Sequence, residues 1–82
     1  MTILKSRAAL RRIAEETAAE HGMTFDEITS PSRRQFIAQP RQEAMRRQRE
    51  AGFSYPVIGW FWDRDHTTVM HGVRAAEARA GA

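Results

Sequence analysis

The sequence predicts an all-α domain, and three observations predict it. Apolar residues recur at helical spacing through most of the chain, capping signals punctuate it, and no stretch alternates as a strand does. Eighty-two residues make one domain, 1–82, with a thin core. Without cysteine, neither a disulfide nor a thiolate metal site is available. The apolar runs are too short to span a bilayer, and no stretch at the start reads as a signal peptide. A cytoplasmic protein with no membrane contact is expected.

Five helices are expected in order. The first covers about residues 3 to 20, with Leu4, Ala8, Ile13 and Thr17 on one stripe, Leu10 and Ala14 beside them, and Gly22 as the stop. Thr24-Phe25-Asp26-Glu27 is a capping box that opens a short helix ending near Thr29, with Phe25 and Ile28 inward. Ser30-Pro31-Ser32-Arg33-Arg34 reads as a basic loop (about 30–36) that Phe36 and Ile37 anchor to the next helix. Pro40 fits the first turn of that third helix, which runs to about Ala51 and closes at Gly52. Ala44 and Met45 face inward there, and Arg41, Arg46, Arg47 and Arg49 mark its wet face.

Ser54-Tyr55-Pro56 starts a short fourth helix, with Ser as N-cap, Pro in the first turn and Gly59 near its end. Trp60-Phe61-Trp62-Asp63 is expected as a turn. At least one of its aromatic rings must plug the core; one Trp is expected to remain exposed for a protein partner. Asp65 caps the last helix, which reaches about Ala78 before an Ala-Gly-Ala tail expected to fray. Val69 and Val73 are its core contacts, with Met70 flanking them.

The net charge of +3 is unevenly placed. Residues 30–50 hold six Arg against two Glu, whereas residues 51–82 balance at three and three. Arg suits forked hydrogen bonding to phosphates and base edges. A short helix, a turn and a polar-headed helix over about 54–78 make a helix-turn-helix, whose second helix enters the DNA major groove by its N-terminal end. There, Asp65 can accept from cytosine N4, Thr67 and Thr68 can meet thymine methyls, and His66 can meet a purine edge. His66 and His71 are five apart and share no helix face, so no zinc site is expected, nor any other cofactor.

Three strings carry a closer likeness: Pro40-Arg41-Gln42-Glu43-Ala44-Met45, Ser54-Tyr55-Pro56-Val57-Ile58-Gly59, and Arg64-Asp65-His66-Thr67-Thr68-Val69-Met70-His71. From about Leu10 to Glu77 the chain resembles the C-terminal DNA-binding domain of the bacterial replication initiator DnaA. The resemblance implies a Trp-repressor-like helix-turn-helix fold. It implies base reading by Asp65, His66 and Thr67, and backbone contact by Thr68 and His71. It places Arg33 in the minor groove, or Arg34 if the register slips by one, and makes Arg49 and Pro56 phosphate-backbone contacts. Arg41 and Arg64 match further basic positions. The implied partner is double-stranded DNA carrying a DnaA-box-like, A/T-containing element, bound by one domain per site in the bacterial nucleoid.

The chain departs from the family pattern in places. Trp62-Asp63 stands where Gly-Gly is usual before the Arg, one residue shorter, and the link between the third helix and Ser54 is also one residue shorter. Gln39 replaces a common Arg, and Tyr55 a usual aliphatic residue. The shorter form resembles stand-alone DnaA-like proteins of phages, prophages and gene transfer agents, which implies a transcription or replication regulator. These residues contain no Gly-rich phosphate loop, so no ATP-driven activity is expected of them. The alternative is a protein-interaction adaptor, through Trp60 or Trp62, that kept the fold but lost specific DNA binding. A nuclease is disfavoured, because Asp63 and Asp65 lack a second acidic cluster.

Overall fold

The computed structural model describes residues 7–31 and 34–81. Five helices succeed one another: α1 (Arg7–Glu20), α2 (Phe25–Ile28), α3 (Gln35–Glu50), α4 (Tyr55–Trp62) and α5 (His66–Gly81). No strand occurs among the described residues. Helix α3 is central: it packs most extensively on α5, then on α1, and it also touches α2 and α4.

The buried line of α1 is Leu10, Ala14, Thr17 and Ala18. It is rotated from the expected stripe: Ile13 lies at its edge, Ala8 is exposed, and Leu4 falls outside the described residues. Thr17 tolerates full burial because its hydroxyl donates to the Ile13 carbonyl at 2.8 Å. Gly22 (φ +69°) ends the helix as expected, and Met23 N–H reaches back to the Ala18 carbonyl at 2.9 Å. The capping box of α2 forms in both directions, with Glu27 N–H on Thr24 Oγ1 (3.1 Å) and Thr24 N–H on Glu27 Oε1 (2.8 Å).

Helix α3 differs from expectation. It begins at Gln35, so Pro40 lies inside it rather than in its first turn. Proline there withholds one backbone donor. Ile37 and Pro40 are both buried one turn apart, and burying apolar surface works against the loss of that bond. Phe36 is not the anchor expected; it is 61 % exposed, and Ile37 alone of the two enters the core.

The wet-face expectation for α3 also fails in part. Arg41 is buried, with Nε donating to the Ile28 carbonyl (3.0 Å) and Nη2 to the Ser30 carbonyl (2.6 Å). Arg46 and Arg47 are engaged in an ionic network. Arg47 grips Glu20 of α1 with two bonds (2.7 and 2.9 Å) and also meets Glu43 (3.0 Å), while Arg46 bridges Glu43 and Glu50, both at 2.6 Å.

Helix α4 runs on through Trp62, so Trp60 to Trp62 are helical and the turn is Asp63 to Asp65. The reason is packing: Ile58 and Trp62, one turn apart, both enter the core. The Trp62 indole donates to Gln48 Oε1 (2.7 Å), and Gln48 Nε2 donates to the Leu10 carbonyl (3.0 Å). This chain of bonds satisfies a fully buried amide and joins α1, α3 and α4. Val69 and Val73 of α5 complete the core as expected. At its far end α5 stays helical to Gly81, where a frayed tail is expected, and Arg79 there donates to Gln42 Oε1 on α3 at 2.9 Å. No helix of the described residues is long and apolar enough to cross a membrane.

Two glycines pack differently, and alanine should separate them. A Cβ on Gly59 would lie 2.5 Å from the Arg64 carbonyl oxygen, which is backbone and cannot swing away. Gly59→Ala should therefore lower stability by about 1–3 kcal/mol in urea titration. At Gly72 the neighbours are the Met45 sulfur (3.1 Å) and Gln42 Cγ (3.3 Å), both on flexible side chains. Gly72→Ala should shift stability by less than about 1 kcal/mol, since helix propensity improves.

The Arg46 guanidinium holds the Glu43 carboxyl below its ordinary value of 4.5, aided by Arg47 and opposed by partial burial. A carboxylate lowered on folding adds stability above its unfolded pKa and loses it as pH falls through the folded value. The urea midpoint should therefore drop on acidification below 4.5, and Glu43→Gln should flatten that dependence.

Candidate nucleic-acid interface

The turn between α4 and α5 is built by three local devices. Asp63 adopts the left-handed conformation (φ 55°, ψ 48°), which Asp tolerates better than most residues. Arg64 N–H reaches back to the Gly59 carbonyl at 2.8 Å. Gly59, lacking a side chain, lets the Arg64 carbonyl lie against α4. The chain thus leaves α4 sharply, and α5 starts with its first turn directed outward.

Asp65 and His66 are exposed there, with side chains 67 % and 58 % open to solvent. Thr67 is half-buried and Thr68 exposed, and His71 is exposed one turn on. The buried face of the same helix is Val69, Gly72, Val73 and Ala76. Asp65 stands just before the helix and its carbonyl accepts from Val69 N–H at 3.2 Å. Its carboxylate lies 3.3 Å from His66 Nδ1.

A second cluster surrounds the α3–α4 link. Ser54 caps α4 as expected, accepting from Val57 N–H at 3.4 Å, and Pro56 is exposed in the first turn. Arg49, exposed in the last turn of α3, donates to the Phe53 carbonyl at 3.0 Å, and its guanidinium lies 4.7 Å from the centre of the Tyr55 ring. The sequence gives no sign that Tyr55 would carry Arg49. The Arg49-to-Tyr55 pairing depends on how Gly52 (φ +103°) folds the link back, which spacing does not reveal.

The remaining basic positions separate. Arg64 is partly buried in the turn, with Nη1 3.4 Å from the Trp62 carbonyl. Arg41, expected as an exposed basic contact, instead ties α3 to the start of the basic loop. Burial lowers its pKa, and the nearby Arg64 charge lowers it further. Arg34 is exposed at the N-cap position of α3. Arg33, the expected minor-groove residue, lies outside the described residues. No group of His, Asp and Glu able to hold a metal ion occurs among the described residues.

The model of the bacterial dnaA protein helix-turn-helix family matches residues 10–75. This chain belongs to that family. Among curated relatives, the chromosomal replication initiator protein DnaA of Lactococcus lactis subsp. cremoris is 43 % identical over 68 residues, 80 % of this chain. The DnaA of Caulobacter vibrioides is 40 % identical over 76 residues, 90 % of the chain, and that of Cereibacter sphaeroides 37 % over 73 residues, 87 % of the chain. The matches span 15 % of the Lactococcus protein and 16 % of each of the other two. No solved structure matches the chain.

Proposed function

We propose that this DnaA-family domain is a non-catalytic, sequence-specific binder of double-stranded DNA that regulates transcription or replication. The observation that carries the reading is the open first turn of α5, where short polar side chains stand clear of a fully apolar inner face. Asp65, His66 and Thr67 read base edges in the major groove, and Thr68 and His71 lie along the backbone. Arg49 and Pro56 meet phosphate on one side, with the Tyr55 ring and the Phe53 carbonyl holding the guanidinium in place before DNA arrives. Such pre-ordering reduces the entropy lost on binding. Arg33 enters the minor groove, flanked by Arg34. Arg41 orients that loop from beneath through the Ile28 and Ser30 carbonyls, and Arg64 adds positive charge at the turn.

The target in this reading is a DnaA-box-like, A/T-containing element, one domain per site in the nucleoid. Likeness to the stand-alone regulators points to genes of a phage, prophage or gene transfer agent.

Selection from random duplex oligonucleotides by the purified chain should enrich one short motif; no enrichment would overturn the reading. His66→Ala and Thr67→Ala should each cost about 1–3 kcal/mol on the best site and relax sequence choice. Arg49→Ala should instead weaken all sites alike and reduce the magnitude of the log–log salt slope by about 0.9. Tyr55→Leu should reproduce part of the Arg49→Ala loss and Tyr55→Phe very little, as measured by fluorescence anisotropy on the selected site.

A further inference from the structure

The start of α1, helix α2 and the second half of α4 enclose a groove of about 520 Å³. Phe25, Phe61 and Trp60 give it aromatic walls, and Trp60 is 61 % exposed. Phe25 and Phe61 meet edge to face at 6.3 Å. Two cations stack on these rings: the Arg7 guanidinium 5.2 Å from the Trp60 ring centre, and that of Arg11 4.1 Å from that of Phe25. The lining contains both guanidinium groups and no carboxylate. A guanidinium stacked on a ring keeps its in-plane N–H fork available to a carboxylate. Arg11 does meet Glu15 at 2.9 Å, but both side chains are about half exposed, and such pairs exchange partners readily.

We propose that this groove docks an acidic segment of another protein, one that places an apolar side chain between Asp or Glu residues. The volume suits one or two side chains of a peptide. Charge selects the occupant. A second copy seated groove to groove would set Arg7 and Arg11 against their own kind, whereas carboxylates on either side of an apolar anchor complete both features. No lining residue comes from α3 or α5, the helices that carry Arg49 and the Asp65-to-His71 face. Helix α4 serves both sites, with Pro56 in its first turn and Trp60 and Phe61 in its second half, so a peptide and a duplex would be held on successive turns, which makes the domain an adaptor that brings a protein to a DNA site. This last clause rests on the DNA-binding reading; the docking itself does not.

The test titrates the full chain with a short synthetic peptide of alternating Glu and Leu around one Trp, and with a control carrying Ser in place of Glu. The acidic peptide should shift the amide resonances of Arg7 to Arg11 and Phe25 and the Trp60 indole signal, more weakly as salt rises, and the Ser control should not. Trp60→Ala and Arg11→Glu, each checked for unchanged melting, should weaken peptide binding by roughly tenfold or more. Both should leave binding to the selected duplex intact. His66→Ala should leave peptide binding unchanged, so failure of the groove and failure of the DNA reading are told apart. Three results would overturn the proposal: no shift with the acidic peptide, the same groove resonances moved by an oligonucleotide, or Trp60-dependent self-association in ultracentrifugation without peptide.

Discussion

The close approach of the Arg64 carbonyl to Gly59 sets the rest of the interface. A backbone oxygen lies where any side chain on residue 59 would have to stand, so the exit from α4 and the entry to α5 are locked at one distance. Arg64 N–H on the Gly59 carbonyl closes the same turn from the other direction. Behind it, Trp62 is pinned by Gln48, which is itself pinned to the Leu10 carbonyl of α1. A buried amide that lost either partner would bear the desolvation cost of that group, so the three helices hold one arrangement. The outward first turn of α5 comes from that arrangement, not from any preference of its own residues.

Arg41, Arg46, Arg47 and Arg49 look alike along the chain, yet they do three different things. Arg41 is a buried tie between α3 and the segment ahead of it. Arg46 and Arg47 belong to a clamp with Glu20, Glu43 and Glu50 that fastens α1 to α3. Arg49 lies against an aromatic ring at the surface. Much of the positive charge in residues 30–50 is thus compensated within the fold, and the field offered to a polyanion is weaker than six cations suggest.

Helix α4 serves two faces. Its first turn, with Ser54 and Pro56, lies beside Arg49, and its second half presents Trp60 and Phe61 to the groove shared with α1 and α2. Within the same helix Ile58 and Trp62 face the core. Eight residues therefore carry core, candidate DNA edge and candidate docking wall: Ile58 and Trp62 share the inner face, while Pro56 and Trp60, four apart, lie on successive turns of an outer one.

The sequence by itself determined the all-α class, the order of five helices, the caps at Thr24 and Ser54, the stop at Gly22, the Val69 and Val73 core contacts, and the family. Those features are local: a capping box or a glycine stop is decided within four or five residues, and the Asp65-His66-Thr67 string is contiguous. Only the tertiary structure decided the long start of α3 around Pro40, the helical course of Trp60 to Trp62, the burial of Arg41, the ionic role of Arg46 and Arg47, and the shelf that Tyr55 makes for Arg49. Each of these depends on a partner from another element. The net gain from packing or from a buried bond is set by what the fold brings alongside, and residue spacing along one chain does not encode it.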